Sequence, residues 1–120
     1  MAKILIIDDS PYMRAKIREA LEYGDCTFLE ADSGLKGLQM IKEQSPDCVI
    51  LDLIMPDIDG FKVLKNLYDE HSRIPIVVVT SDIQKIVRKE CLELGAKAFV
   101  NKPFNADELS TIVKDILNFQ

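Results

Sequence analysis

No two of the three cysteines stand at Cys-x-x-Cys spacing, so a thiolate metal site is not expected. Cys26, Cys48 and Cys91 are odd in number and scattered, which excludes a disulfide scaffold and fits small core or near-core thiols in a reducing cytosol. The chain has no Lys/Arg cluster. Its 20 acidic side chains outnumber 15 basic ones for a net charge of −5, the opposite of a nucleic-acid footprint. Ile74–Ser81, the longest uncharged apolar stretch, is far short of the roughly 20 residues a membrane span needs. No basic segment with an apolar run opens the chain, so no signal peptide is expected. Internal repeats, low-complexity tracts and Pro/Gly/Ser-rich linkers are also missing. What remains is 120 residues, 48% apolar and 29% charged, the profile of one soluble globular domain. Such a chain buries about two-thirds of its unfolded surface.

Apolar periodicity alternates along the chain. Ile4-Leu5-Ile6-Ile7 reads as a strand buried on both faces. Ser10 and Pro11 then open a helix that carries Met13, Ile17, Ala20 and Leu21 on one side. Thr27-Phe28-Leu29 predicts a second strand, and Leu35, Leu38 and Ile41 a second helix stopped by Ser45-Pro46. Cys48–Leu51 is a third strand, and Phe61, Leu64 and Leu67 line a third helix. Ile76–Val79 is the clearest strand; Ile83, Val87, Cys91 and Leu94 mark a fourth helix closed by Gly95. Ala98-Phe99-Val100 is a fifth strand. Asn105 and Glu108 resemble a capping box before a last helix with Leu109, Ile112, Val113 and Ile116. Strands and helices in strict alternation predict an α/β fold, a five-stranded parallel sheet covered on both faces. The elements fill residues 1–120 as a single domain, and no output domain is expected.

The polar residues fall at strand ends. Asp8 and Asp9 follow strand one, Asp52 follows strand three, Thr80 and Ser81 follow strand four, and Lys102 follows strand five. In a parallel sheet these are all carboxyl ends and share one edge, where open α/β sheets bind ligands. With strand order 2-1-3-4-5, strands one and three are neighbours and three carboxylates converge. At about 4 Å and an effective dielectric of 20, each such pair costs about 4 kcal/mol. The cluster must keep a proton or bind a cation. Oxygen ligands with room for water suit Mg²⁺. Carboxylates with a divalent ion, a lysine and a hydroxyl suit a tetrahedral anion with three oxygens, the needs of phosphoryl transfer, with a carboxylate as the nucleophile. Each residue alone is ordinary as a helix cap, strand end or loop; their joint placement carries the reading.

Asp8-Asp9-Ser10, the segment Leu51–Gly60, Val79-Thr80-Ser81, Gly95-Ala96 and Asn101-Lys102-Pro103-Phe104 resemble the motifs of a response-regulator receiver domain, most closely the single-domain chemotaxis (CheY-like) type. The resemblance covers essentially the whole chain and implies a flavodoxin-like, doubly wound (βα)5 fold with strand order 2-1-3-4-5. It implies that Asp52 is the phosphoacceptor. Asp9, Asp52 and the backbone carbonyl of Ile54 would ligate Mg²⁺, with Asp8 acting through a water. Thr80 would hydrogen-bond the phosphoryl group and Lys102 would pair with it. Phe99, three residues before Lys102, stands where the family carries its switch aromatic, which turns inward as Thr80 moves; by sequence alone it is also an ordinary strand-end core residue. Pro56 and Gly60 read as structural, and Asp57 and Asp59 as solvated or capping rather than ligands. Ile54 and Asp82 flank the path of an attacking water. An apolar Ile54 cannot orient that water, so slow self-dephosphorylation is expected. His71, in a polar stretch, reads as a surface loop residue, not a phosphorelay histidine.

The resemblance further implies a cytoplasmic switch that catalyses its own phosphorylation from a histidine kinase and its own dephosphorylation. It would bind a protein target through the face of helix four, strand five and helix five. That target could be a flagellar motor switch protein, a phosphorelay protein or another pathway's effector; a phosphatase is a possible further partner, and the sequence does not tell whether a dedicated one exists. No nucleic acid and no membrane insertion are expected. Lys97-Ala98, where dimerising regulators carry acids, and the absence of Arg from the last helix fit a monomer. A phosphorylation-independent binding module and a phosphorelay intermediate outside chemotaxis are the alternatives. Haloacid-dehalogenase chemistry would need a D-x-D motif on strand one, and flavin-type binding a Ser/Thr/Gly-rich loop there; both are missing.

Overall fold

Ile4, Leu5, Ile6 and Ile7 are each no more than 1% exposed, as are Val77, Val78 and Val79. Continuous burial of adjacent strand residues requires cover on both faces, because successive side chains point to opposite sides. The computed structural model, which describes residues 2–22 and 25–118, provides that cover. Its elements run β1 (Ala2–Ile7), α1 (Pro11–Leu21), β2 (Cys26–Ala31), α2 (Gly34–Gln44), β3 (Cys48–Leu51), α3 (Gly60–Asp69), β4 (Ile76–Thr80), α4 (Lys85–Glu93), β5 (Ala98–Asn101) and α5 (Ala106–Asn118). All strand pairs are parallel, in the order β2-β1-β3-β4-β5. Leu5, Val49, Leu51, Val78 and Phe99 pack on one face with residues of α2, α3 and α4. Ile4, Ile6, Ile50, Val77 and Val79 pack on the other with α1 and α5.

The helix starts are written locally. Ser10 Oγ accepts from Met13 N at 3.1 Å with Pro11 in the first turn, and Ser33 Oγ accepts from Lys36 N at 3.2 Å. Asp59 Oδ1 accepts from Lys62 N, and Asn105 Oδ1 from Glu108 N, both at 3.0 Å. Gly95, with φ of 93°, ends α4. Cys48 and Cys91 are buried and Cys26 half-buried, all as free thiols. His71 is exposed in the turn after α3. Among the described residues no helix is long and apolar enough to cross a membrane.

Two apolar residues lie elsewhere than periodicity predicts. Leu35 is 61% exposed, because the buried positions of α2 are Gly34, Gly37 and Ile41. A Cβ on Gly37 would lie 2.5 Å from Ile7 Cδ1, so the missing side chain lets the helix lie against β1. Ile83 is 78% exposed and precedes α4, which begins at Lys85.

Gly60 fixes the close approach that matters most. Its N–H donates to Leu53 O at 2.8 Å, and a Cβ there would lie 2.0 Å from Asp52 O and 2.7 Å from Leu53 Cα. Backbone meets backbone at that point, which only glycine permits.

Candidate functional site

The register of the two central strands builds the pocket. Ile7 pairs with Leu51, and Asp52 N donates to Ile7 O at 3.0 Å, so the residues after β1 and β3 are neighbours. One carboxylate oxygen from each of Asp8, Asp9 and Asp52 lies within 4.8 Å of the others. Asp8 and Asp52 are 1% and 5% exposed, while Asp9 is exposed at the rim. On the other side Thr80 pairs with Asn101, and Lys102 N donates to Thr80 O at 2.8 Å. That ladder delivers Lys102 to the same edge. Its Nζ donates to Asp8 Oδ2 at 2.9 Å and stands 3.5 Å from Asp52 Oδ2. The Lys102–Pro103 peptide is cis.

Asp8 is held at every polar atom. Its N–H donates to Ala31 O, its carbonyl accepts from Arg14 Nη1 at 2.7 Å, and Oδ1 accepts from Ser10 N at 2.9 Å. Lys102 takes the remaining oxygen. Asp52 Oδ1 accepts from Ile54 N at 3.3 Å. Burial pushes the Asp52 carboxyl above its usual range. Lys102 pulls it back down, and Asp8 pushes it up again. Desolvation wins in this balance: one ammonium shared between two carboxylates does not offset the loss of water. Three carboxylates against one lysine leave excess negative charge on hard oxygen donors, the donor chemistry of a divalent cation site. Mg²⁺ therefore fits the residues present.

The remaining residues singled out by sequence lie in β4, β5 and the loops after β3 and β4. Thr80 is fully buried, with Oγ1 accepting from Asp82 N at 3.3 Å. Ile54 is 58% exposed, and with Asp82, Met55 and Val87 it lines a hollow of about 260 Å³ between the loop after β3 and α4. Phe99 is 8% exposed, and its ring packs in the core on the face covered by α2, α3 and α4. Asp59 caps α3. Asp57 does something that spacing does not show: its two oxygens accept from Gly34 N and Leu35 N, both at 3.1 Å, capping α2 from the loop after β3. Those N–H groups hold its carboxyl below the usual range. Arg14 is among the residues that sequence reasoning missed, since its partner Glu30 lies on β2 and nothing in local spacing announces the pair.

The sequence matches the response regulator receiver domain family over residues 4–114. The chain belongs to that family. The receiver domain is 33% identical over 117 residues to the chemotaxis protein CheY of Bacillus subtilis, covering 97% of this chain and 98% of that one. It is 36% identical over 115 residues to the sensor histidine kinase CheAY of Helicobacter pylori, where the match covers 92% of this chain and 14% of that protein. Among solved structures, the receiver domain of Francisella response regulator 1452 superposes with a TM-score of 0.92 at 25% identity, covering 99% of this chain and 98% of that one. CheY4 of Vibrio cholerae gives 0.87 at 27% identity, covering 98% and 99%. The receiver domain thus has the flavodoxin-like fold with strand order 2-1-3-4-5 expected from its motifs. Receiver domains generally take a phosphoryl group at an acidic pocket that binds Mg²⁺.

Proposed function

We propose that this receiver domain accepts a phosphoryl group on Asp52 from the phosphohistidine of a histidine kinase and uses it to change binding to a protein target. The observation that carries the reading is Lys102 Nζ between Asp8 Oδ2 at 2.9 Å and Asp52 Oδ2 at 3.5 Å, in a cluster of three carboxylates on the carboxyl edge of the sheet. Mg²⁺ would be held by Asp9, Asp52 and the Ile54 carbonyl, with Asp8 one water further out, and would neutralise charge on the phosphoryl oxygens.

The chain's own residues supply the rest. An Asp52 oxygen bonds to phosphorus while the N–P bond of the donor breaks and its electron pair stays on the imidazole nitrogen. Lys102, already against both buried carboxylates, pairs with a transferred oxygen. The Thr80 hydroxyl, its oxygen fixed by Asp82 N, turns its proton toward another. That engagement stabilises the inward ring of Phe99, two residues along β5 from Thr80's partner Asn101. The surface of α4, β5 and α5 is then held in its target-binding form, a two-state equilibrium biased by one local charge event. The likeness to CheY proteins supports a role in chemotaxis, with a flagellar motor switch protein as target, and a place in the cytoplasm.

Intact mass after incubation with acetyl phosphate tests the chemistry, with and without Mg²⁺, beside Asp52→Asn. One phosphoryl increment on wild type alone, dependent on Mg²⁺, is the expected result. No increment on folded wild type under any condition overturns the reading in favour of a binding module that works without phosphorylation.

A further inference from the structure

The phosphoacceptor reading uses Asp8, Asp9, Asp52, Thr80 and Lys102, and leaves one partly buried cation beside them without a role. Arg14 on α1 has a side chain only 15% exposed. Its Nη1 donates to Asp8 O at 2.7 Å and its Nε donates to Glu30 Oε1 at 2.8 Å. The second oxygen of Glu30 is 3.3 Å from Arg18 Nη1, and Arg18 lies over the Phe28 ring at 5.3 Å. Glu30 sits within β2 and pairs in register with Ile6 of β1. A guanidinium on the first helix is thus anchored to the sheet at one end and grips the carbonyl of a pocket residue at the other.

That carbonyl is the sensitive point. The oxygen of Asp8 and the N–H of Asp9 belong to one planar peptide unit. Fixing the oxygen fixes the plane, and the plane decides where the Cα of Asp9 goes. Asp9 itself is exposed and lies at the rim, whereas Asp8 is secured by Ala31, Ser10 and Lys102. Pinning the peptide between them confines the exposed carboxylate without touching it.

We propose that Arg14 is a positioning residue for cation binding: by tying the Asp8–Asp9 peptide to Glu30 of β2, it holds the Asp9 carboxylate where a divalent ion can be shared with Asp52. The inference rests on the acidic pocket being the Mg²⁺ site. Arginine suits the task because its rigid fork makes both bonds at once, whereas lysine offers a single ammonium. Groups that orient metal ligands from behind typically change affinity by about 10- to 100-fold when removed.

Calorimetric titration with MgCl₂, without any phosphodonor, is the test. Arg14→Ala binds Mg²⁺ about tenfold more weakly than wild type, Glu30→Ala weakens binding from the other end of the tether, and Arg14→Lys recovers part of the loss through its single bond to Asp8 O. The urea midpoints of these variants in EDTA show that they are folded. Folded Arg14→Ala and Glu30→Ala proteins that bind Mg²⁺ within twofold of wild type overturn the tether while leaving the phosphoacceptor reading standing. A wild type that takes up no Mg²⁺ overturns both.

Discussion

The guanidinium of Arg88 on α4 lies over the ring of Phe99 on β5, 5.9 Å from its centroid, and points Nη1 at the Phe99 carbonyl oxygen, 3.5 Å away. The contact joins the helix and the strand whose shared surface is the proposed output face. It also caps the inward ring from outside. An exposed cation–π pair contributes about 0.5–1 kcal/mol.

Removing that pair weakens the seating of the ring. Urea unfolding of Arg88→Ala, Phe99→Leu and the double variant forms a cycle with a coupling energy of about 0.5 kcal/mol. A coupling of zero shows that the two side chains are neighbours without consequence.

Two aspartates give pH effects of opposite sign. Burial raises the Asp52 carboxyl, so its ionised form costs stability; the cost is absent below its unfolded value of 3.8 and grows as pH rises through the folded value. Asp52→Asn is therefore more stable than wild type at neutral pH, and the gain vanishes in acid. Backbone N–H groups lower the Asp57 carboxyl, so its contribution is present above 3.8 and disappears as pH falls through the folded value. Asp57→Ala loses stability at neutral pH and nothing in acid. Thermal melts between about pH 3 and pH 7 read both, and parallel curves for wild type and variants contradict the assignment.

Gly60→Ala forces a methyl group against the Asp52 carbonyl and Leu53 Cα. Because the neighbours are backbone, nothing rotates aside. A loss of about 3 kcal/mol in urea unfolding is expected, at the upper end of ordinary overpacking. A loss under 1 kcal/mol means that the loop yields.

Ile54→Asn places an amide in the hollow shared with Asp82, and the proposal expects it to orient water toward a phosphorylated Asp52. Ile54 is 58% exposed, so the exchange leaves the fold intact. Loss of the phosphoryl mass with time runs several-fold faster in the variant than in wild type. Equal decay shows that residue 54 does not set the lifetime.

The strands and the edge chemistry were legible because burial on both faces writes a continuous apolar run, as in Ile4–Ile7, and because a parallel sheet sends every carboxyl end the same way. Strand order was not: it depends on which crossover returns to which side, and came from family motifs. Leu35 was misplaced since Gly34 and Gly37, the inward residues of α2, carry no hydrophobic signal. Arg14, Arg88 and the cap from Asp57 to α2 were hidden for another reason. Each links a side chain to a different element 11 to 23 residues away, beyond the reach of local periodicity, and a lone charge in a helix or loop reads as solvated.

The bond from Gly60 N to Leu53 O means that the chain leaves and re-enters the fold at nearly one place. Residues 54–59 form an eyelet on a closed neck. Met55 and the caps from Asp57 and Asp59 tie it to the core, α2 and α3, whereas the exposed Ile54 can be exchanged without disturbing them. The proposed reset rate would then be tuned at an exposed position of this eyelet, apart from the strand that precedes Asp52.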